Sequence, residues 1–193
     1  AGFDSAAAVK NALSHPGDDL YALARITVLG DVPPSQLARY LDGGGRVVVA
    51  VDRAADIRQL LRWAHKHKLK IAIAGGAEAW KLAPELARAG VPVFVDTLAN
   101  LPGNFDRLGA TLENAARLHA SGVEVGFSQS DDASHNARKV RRLAGNAVAN
   151  GLPWEAALAG LTRVPAQAFG VADRTGTIAV GQPADLVLWS GDP

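Results

Sequence analysis

Four short apolar runs, rich in β-branched side chains, alternate along the chain with segments of helical periodicity. The runs lie at residues 46–51, 70–74, 91–95 and 123–127. Runs of this length without polar alternation are typical of strands buried on both faces of a parallel sheet. The pattern therefore predicts four parallel strands joined by right-handed helical crossovers.

The segments around these runs carry apolar residues three and four positions apart, which predicts amphipathic helices. The four sets are Ile57, Leu60, Leu61 and Ala64; Ala79, Leu82, Ala83 and Leu86; Leu108, Leu112 and Ala115; and Ala137, Val140 and Ala144. Pro84 interrupts the second set, and it either kinks that helix or marks its true start. Upstream, residues 33–45 predict one further helix that ends in a glycine cap.

The end of the chain has a different pattern. Residues 151–171 predict two short helices, and two β runs bounded by turn signals follow at Thr177–Val180 and Asp185–Trp189. Four β/α units are half of an eight-unit barrel, which needs roughly 250 residues. An open, doubly wound four-stranded sheet is the alternative. In either case the terminal β runs form a separate small element.

Composition excludes several classes of protein. The 193 residues are 48% hydrophobic and 20% charged, which is typical of a globular protein. The net charge of +1 makes nucleic acid an unexpected partner. Cysteine is absent, which excludes disulfides, zinc-thiolate sites and cysteine nucleophiles. No apolar run reaches membrane-spanning length and no signal segment is visible, so we expect a cytoplasmic or periplasmic location.

The segment "GLPWEAALAGLTRVPAQAFGVADRTGTIAVGQPADLVLWSGDP" (151–193) resembles the C-terminal end of amidohydrolase-superfamily enzymes, in particular the imidazolonepropionase-like branch. The similarity implies that residues 1–172 form the C-terminal half of a (β/α)8 barrel, with its strands five to eight. It also implies that residues 173–193 supply strands to a composite β-sandwich. The activity implied is metal-dependent hydrolysis of non-peptide C–N bonds in a small-molecule substrate.

The resemblance also implies where metal ligands belong. The family holds a divalent metal such as zinc with histidines and one aspartate at the strand tips. The positions for two of those histidines fall near Asp52 and near Gly75 or Gly76, and none of these is a histidine. The family's paired histidines belong to the first strand, so the resemblance implies a partner: the N-terminal half of the same protein, or a second copy.

The loop in "GFSQSDDASHNARKV" (126–140) carries the candidate catalytic residues. Matching the family's aspartate places Ser130 at that point without a gap, and Asp131 with a gap of one residue. We interpret Asp131 as the general base and a metal ligand, with His135 as its partner. The alternative is a polar cap at a helix start, with Asp132 among the capping side chains and His135 in solvent.

Other polar or glycine positions follow the predicted strands and should reach the same face, because parallel strands end on one side of a sheet. The candidate substrate-binding residues are Asp52, Gly75, Gly76, Asp96 and Asp132. The aspartates equally suit helix capping. The glycines suit either the approach of an anionic ligand group to backbone N–H groups or a tight turn.

Two functional classes follow from these residues. The first is an amidohydrolase-like enzyme that acts only with its N-terminal half and uses a divalent metal if the family chemistry is retained. The second is a degenerate member of that superfamily, a binding or scaffold protein without metal or catalysis. The missing histidines favour the second class, and the C-terminal signature favours descent from the first.

Overall fold

A parallel sheet forms the centre of the structure, a computed structural model that describes residues 25–26, 42, 44–129 and 138–191. Its strands are β1 (Arg25–Ile26), β2 (Arg46–Val51), β3 (Lys70–Gly75), β4 (Val93–Val95) and β5 (Val125–Phe127). They lie side by side in chain order, and β2 to β5 are parallel. The short β1 pairs antiparallel with β2 at one edge. The four predicted parallel strands are confirmed.

Helices connect the strands and follow the last one. They are α1 (Ala54–Lys66), α2 (Ala83–Ala89), α3 (Asn114–Ala120), α4 (Val140–Ala149), α5 (Trp154–Leu161) and α6 (Arg163–Ala168). A 3-10 turn at Ala79–Leu82 leads directly into α2, and Pro84 lies in the first turn of α2. Proline is tolerated there because the first N–H groups of a helix have no partner within it. Pro84 therefore marks the true start of the helix.

The main core lies on one face of the sheet. Strand residues such as Val49, Ile73 and Val125 pack there against helix residues such as Leu60 and Leu143. That single core also includes residues of α2, α3 and α5. A doubly wound sheet has helices on both faces, whereas a barrel has them outside only. The arrangement is that of a partial TIM-like barrel, as the resemblance implies.

The opposite face of the sheet, which a closed barrel would turn inward, is lined mainly by small residues. Ala72 and Phe94 form a second, smaller cluster there with Ala168 at the end of α6. The ring of Phe94 lies across Gly126, where an added Cβ would come within 2.4 Å of it, and it stacks on Phe169 at 5.8 Å between centroids. Only α6 among the described helices contributes to this cluster.

Two of the strands are shorter than the apolar runs that predict them. The N–H of Val91 donates to the carbonyl of Leu86, and the N–H of Val123 donates to that of Leu118. These bonds satisfy carbonyls at the ends of α2 and α3, which have no partner inside their helices. The first residues of both runs therefore close the preceding helix, and sheet pairing begins two residues later.

The prediction for the third helix is wrong in its extent. Leu108 and Leu112 are exposed, and α3 begins only at Asn114. Gly109 explains the late start, because its N–H donates to Glu78 Oε1 (2.7 Å) and its carbonyl accepts from Trp80 Nε1 (2.8 Å). These tertiary hydrogen bonds replace the bonds that an earlier helix would require. The predicted face of α4 includes Ala137, which lies outside the described residues, as does most of the helix predicted at 33–45.

The predicted C-terminal strands do not form. Residues 173–191 contain no strand, and Ile178 and Val180 project into solvent. A strand needs a neighbour for its N–H and C=O groups, and no described segment pairs with these runs. Two of its contacts with the body are the Arg141 guanidinium of α4, 5.2 Å from the ring centroid of Trp189, and Gly176, where an added Cβ would lie 2.6 Å from the Cβ of Ala166 in α6. Within the described ranges, no helix has the length and apolar character needed to cross a membrane.

Candidate functional site

The carboxyl ends of the four parallel strands lie at one edge of the sheet and carry the candidate residues. Val51 is in register with Gly75, and Val95 with Phe127. Asp52, Gly76, Asp96 and Ser128 are the next residues, so the structure brings all four strand tips to one face. The convergence that the sequence predicts is confirmed for this described part of the face.

Asp52 is tied to two other loops. Its Oδ2 accepts a hydrogen bond from Arg107 Nε at 2.7 Å, and its Oδ1 accepts one from the N–H of Ala77 at 3.1 Å. The two side chains of the ion pair are only 17% and 23% exposed. Partial burial reduces screening by water, so this pair is stronger than an ordinary surface pair. Both carboxylate oxygens are therefore engaged within the protein.

Gly75 and Gly76 form a tight turn against Asp52. Both have positive φ values, 89° and 64°, which residues with a side chain rarely adopt. A Cβ on Gly75 would come within 2.7 Å of Asp52 Oδ1. The N–H of Gly76 donates to the carbonyl of Val51 at 2.8 Å. The turn alone accounts for both glycines, and their role in binding a ligand stays a prediction.

Asp96 has the geometry of a turn-forming aspartate. Its Oδ1 accepts the N–H of Leu98 at 3.0 Å, and its carbonyl accepts the N–H of Ala99 at 3.1 Å. This is an Asx-turn, in which a side chain satisfies the backbone two residues on. Next to it, the Thr97 hydroxyl donates to the carbonyl of Leu143 at 2.8 Å. The Thr97 bond fixes the tip of β4 against α4.

Glu78 joins three segments below the strand tips. It accepts the N–H of Ala54 at the start of α1 (3.0 Å) and the N–H of Gly109 (2.7 Å), and it pairs with Lys81 at 3.0 Å. Burial acts to raise its pKa, but these three donors outweigh burial and hold the pKa below the ordinary 4.5. The sequence analysis missed Glu78, although an acidic residue in an otherwise apolar turn is a signal for it.

Neighbouring carboxylates affect one another at this rim. Burial raises the pKa of Asp56 above its ordinary value; Arg53 opposes the rise, and the carboxylates of Asp106 and Glu78 add to it. Glu78 is thus one of two carboxylates that act against the ionisation of Asp56.

We expect Glu78 to make the stability of the fold depend on pH. Because its folded pKa is lowered, its contribution is fully present above 4.5 and is lost as the pH falls through the folded pKa. In Glu78→Gln, the free energy of unfolding should fall less steeply between about pH 5 and pH 3 than in the wild type. Urea unfolding at a series of pH values measures this. The exposed Glu155 supplies the control Glu155→Gln, and parallel curves for wild type and Glu78→Gln would contradict the prediction.

Asn114 is fully buried at the start of α3 and connects two neighbouring turns. Its Nδ2 donates to the carbonyl of Gly76 at 2.9 Å, and its Oδ1 accepts the N–H of Trp80 at 3.2 Å. The side chain thus supports the β3 tip from below. The sequence analysis missed this residue too, since nothing local distinguishes it from a surface asparagine near a helix start.

Comparison with known proteins identifies the family. The sequence profile of the Amidohydrolase family matches residues 63–193, more than half of the chain. The chain belongs to the amidohydrolase family. A crystal structure of an amidohydrolase from Thermotoga maritima superposes on 98% of this chain and 49% of its own, with a TM-score of 0.74 and 26% identity.

Two curated enzymes are similar to part of the present chain. The imidazolonepropionase of Aromatoleum aromaticum is 42% identical over 95 residues, which are 48% of this chain and 23% of that enzyme. The 5-methylthioadenosine/S-adenosylhomocysteine deaminase of Desulforudis audaxviator is 33% identical over 117 residues, 54% of this chain and 25% of that enzyme. The chain thus matches about a quarter of the length of these relatives and about half of the solved structure.

The metal that the family implies does not fit the tips of β2 and β3 in this chain. Zinc-like ions require three or four histidine, cysteine or carboxylate ligands. Asp52 has both oxygens engaged, and Gly75 and Gly76 offer no side chain. Across the part of the chain that the structure describes, no three histidine, aspartate or glutamate residues group in a way that could hold a metal.

The candidate catalytic loop of this chain lies outside the described residues. Asp131, Asp132 and His135 fall within 130–137, between the tip of β5 and the start of α4. On the near side, the Ser128 hydroxyl donates to the carbonyl of Phe94 at 2.9 Å, which holds the end of β5 against β4. The roles assigned to these three residues from the sequence stay predictions.

Proposed function

We propose that this chain is the C-terminal part of a hydrolase of non-peptide C–N bonds, which acts together with an N-terminal half outside this chain. One observation carries the proposal: all four strand tips meet on one face of a half barrel that superposes on 49% of an amidohydrolase. Half a barrel surrounds a substrate on only part of its surface, so turnover requires the other half of the barrel. The N-terminal half of the same protein, or a second copy, is the partner.

In this proposal Asp131 is the general base. It takes a proton from a water molecule whose oxygen attacks the carbon of the C–N bond. The C–N bond then breaks, and His135 carries the proton to the departing nitrogen. Asp96 and Asp132 position polar groups of the substrate on the same face, with Asp52, Gly75 and Gly76 forming the adjoining wall. A carboxylate in such a cup is a suitable base because partial desolvation raises its affinity for a proton.

Two uncovered surfaces of the sheet support the proposal that another half of the barrel packs against this chain. Ala50 projects from the face of the sheet opposite α1 to α5 and is exposed, and β5 has no further strand beside it among the described residues. Edges and apolar faces of this kind are normally covered in native proteins. We assign residues 173–193 to a composite β-sandwich on the same reasoning, because the apolar side chains between Ile178 and Trp189 are exposed.

One observation favours the second candidate, a degenerate, metal-free binding or scaffold protein. The carboxylate of Asp52 is held by Arg107 and Ala77, and the described residues offer no metal site. If the N-terminal half also lacks metal ligands, the barrel keeps its shape without the family's chemistry. The two candidate functions differ in whether the full-length protein hydrolyses a substrate.

Hydrolysis assays on the full-length protein test the proposal. The substrates are a five-membered cyclic amide, an aminopurine nucleoside and, as the peptide control, a dipeptide, with metal content measured on the same sample. We expect turnover of the cyclic amide or the nucleoside, none of the dipeptide, and none by the 193-residue chain alone. Hydrolysis of the dipeptide only would exclude the non-peptide class. Absence of all turnover would favour the degenerate protein.

A further inference from the structure

We propose that Arg107 binds the carboxylate of a small molecule that also carries an apolar group. The inference deepens the function proposed above by naming a substrate class, and it rests on the strand-tip face being the binding site. It concerns binding alone and requires neither a metal nor turnover.

The first argument is the unused capacity of the Arg107 side chain. A guanidinium has five N–H donors in a planar fork, and only Nε is engaged, with Asp52 at 2.7 Å. The terminal nitrogens make no hydrogen bond within the described chain, and neither is buried. The side chain is nevertheless only 23% exposed, and its Nε–H bond to Asp52 limits its freedom. It is a largely immobilised cation with donors that remain accessible.

The second argument is the chemistry of the loop that carries Arg107. From this loop Arg107 presents terminal N–H groups that no described residue accepts. A carboxylate, which only accepts hydrogen bonds when ionised, is the complementary group, and a planar guanidinium can bind both of its oxygens.

The third argument concerns the rest of the ligand. Exposed apolar side chains flank Arg107 along the loop between β4 and α3, namely Leu98, Leu101, Phe105, Leu108 and Leu112. Phe105, two residues from Arg107, is 87% exposed. Small-molecule sites combine an apolar lining with a few placed polar groups. An apolar body joined to a carboxylate matches this loop, whereas a bare inorganic anion does not.

Calorimetric titration of the 193-residue chain tests the proposal, with benzoate as the probe and benzamide as its uncharged analogue. We expect benzoate to bind the wild type, and Arg107→Gln to weaken binding at least about tenfold, since hydrogen bonds to charged groups are strong. Benzamide and inorganic sulfate should bind more weakly than benzoate. Arg117→Gln is the matched control: Arg117 pairs with Glu113 on the surface of α3, and its loss should leave benzoate binding unchanged.

A second measurement uses the wild type alone, in case Arg107→Gln does not fold. Phenylglyoxal modifies arginine, and peptide mass spectrometry reports each site separately. We expect benzoate to slow modification of Arg107 and not of Arg117. Equal benzoate affinity in wild type and Arg107→Gln, equal affinity for sulfate, or no protection of Arg107 would overturn the proposal. Failure of the hydrolysis assays would leave these binding results unaffected, so the two proposals fail separately.

Discussion

Asn114→Ala should lower the free energy of unfolding by roughly 2 to 4 kcal/mol, because it leaves the N–H of Trp80 without its partner and removes one hydrogen bond from the carbonyl of Gly76. A group left unpaired inside the protein costs about 1–3 kcal/mol, and a lost hydrogen bond costs about 0.5–1.5 kcal/mol. The carbonyl of Gly76 keeps its second hydrogen bond, from the N–H of Ala79 at 2.9 Å.

Two variants separate this explanation from a general loss of packing. Asn114→Asp keeps an acceptor for Trp80 but removes the donor to Gly76 and buries a charge, so it should be at least as destabilising as alanine. Asn150→Ala is the control, since the Asn150 amide bonds only to Asn146 one turn away. Urea unfolding measures all three variants. A loss below about 1 kcal/mol in Asn114→Ala would show that water or a shifted backbone satisfies the N–H of Trp80.

In the full-length protein, the proposed role of Asp131 as the general base predicts that Asp131→Asn lowers kcat by roughly 10²- to 10⁴-fold, the range typical of general acid–base catalysis. Asparagine has nearly the same size as aspartate and cannot take a proton from water, so the loss should fall on kcat more than on KM. Asp132→Asn should stay within about tenfold of the wild type, because its proposed role is positioning.

The comparison of these two variants decides whether Asp131 is the base. Steady-state kinetics on the full-length protein provide kcat and KM, and thermal unfolding verifies that both variants fold. Equal losses of kcat in Asp131→Asn and Asp132→Asn would mean that kcat depends on the loop as a whole and not on one carboxylate. A wild-type rate in Asp131→Asn would exclude its role as a base.

The sheet could be predicted from the sequence because burial on both faces leaves a local pattern. The run at Arg46–Val51 is apolar at every position after the first, and it is a strand in the structure. The third helix was mispredicted for the opposite reason. The spacing of Leu108 and Leu112 is helical, but the bonds of Gly109 to Glu78 and Trp80 come from residues about thirty positions away. Local periodicity carries no information about such partners.

The same limit applies to the strand-tip face. The position of Asp52 after β2 follows from the pattern, and parallel topology predicts which residues share its face. Its partner Arg107 lies 55 residues further along the chain, at the end of a 3-10 helix at Phe105–Arg107. Pairing at that distance depends on how the loop folds back, which no spacing rule describes. The prediction of two C-terminal strands is wrong for a related reason, since a strand forms only where another strand is available to pair with it.

The exposed apolar tail has a consequence for the behaviour of the separated chain in solution. Cross-β aggregation is favoured by uncharged segments of about six or seven residues with high β-propensity and no proline. The uncharged, proline-free stretches at 175–182 and 186–191 reach that length, and Pro183 and Asp185 stand between them. These two residues prevent the stretches from joining into one longer β-prone segment. The separated tail therefore carries two segments that can pair with a partner strand and can also self-associate.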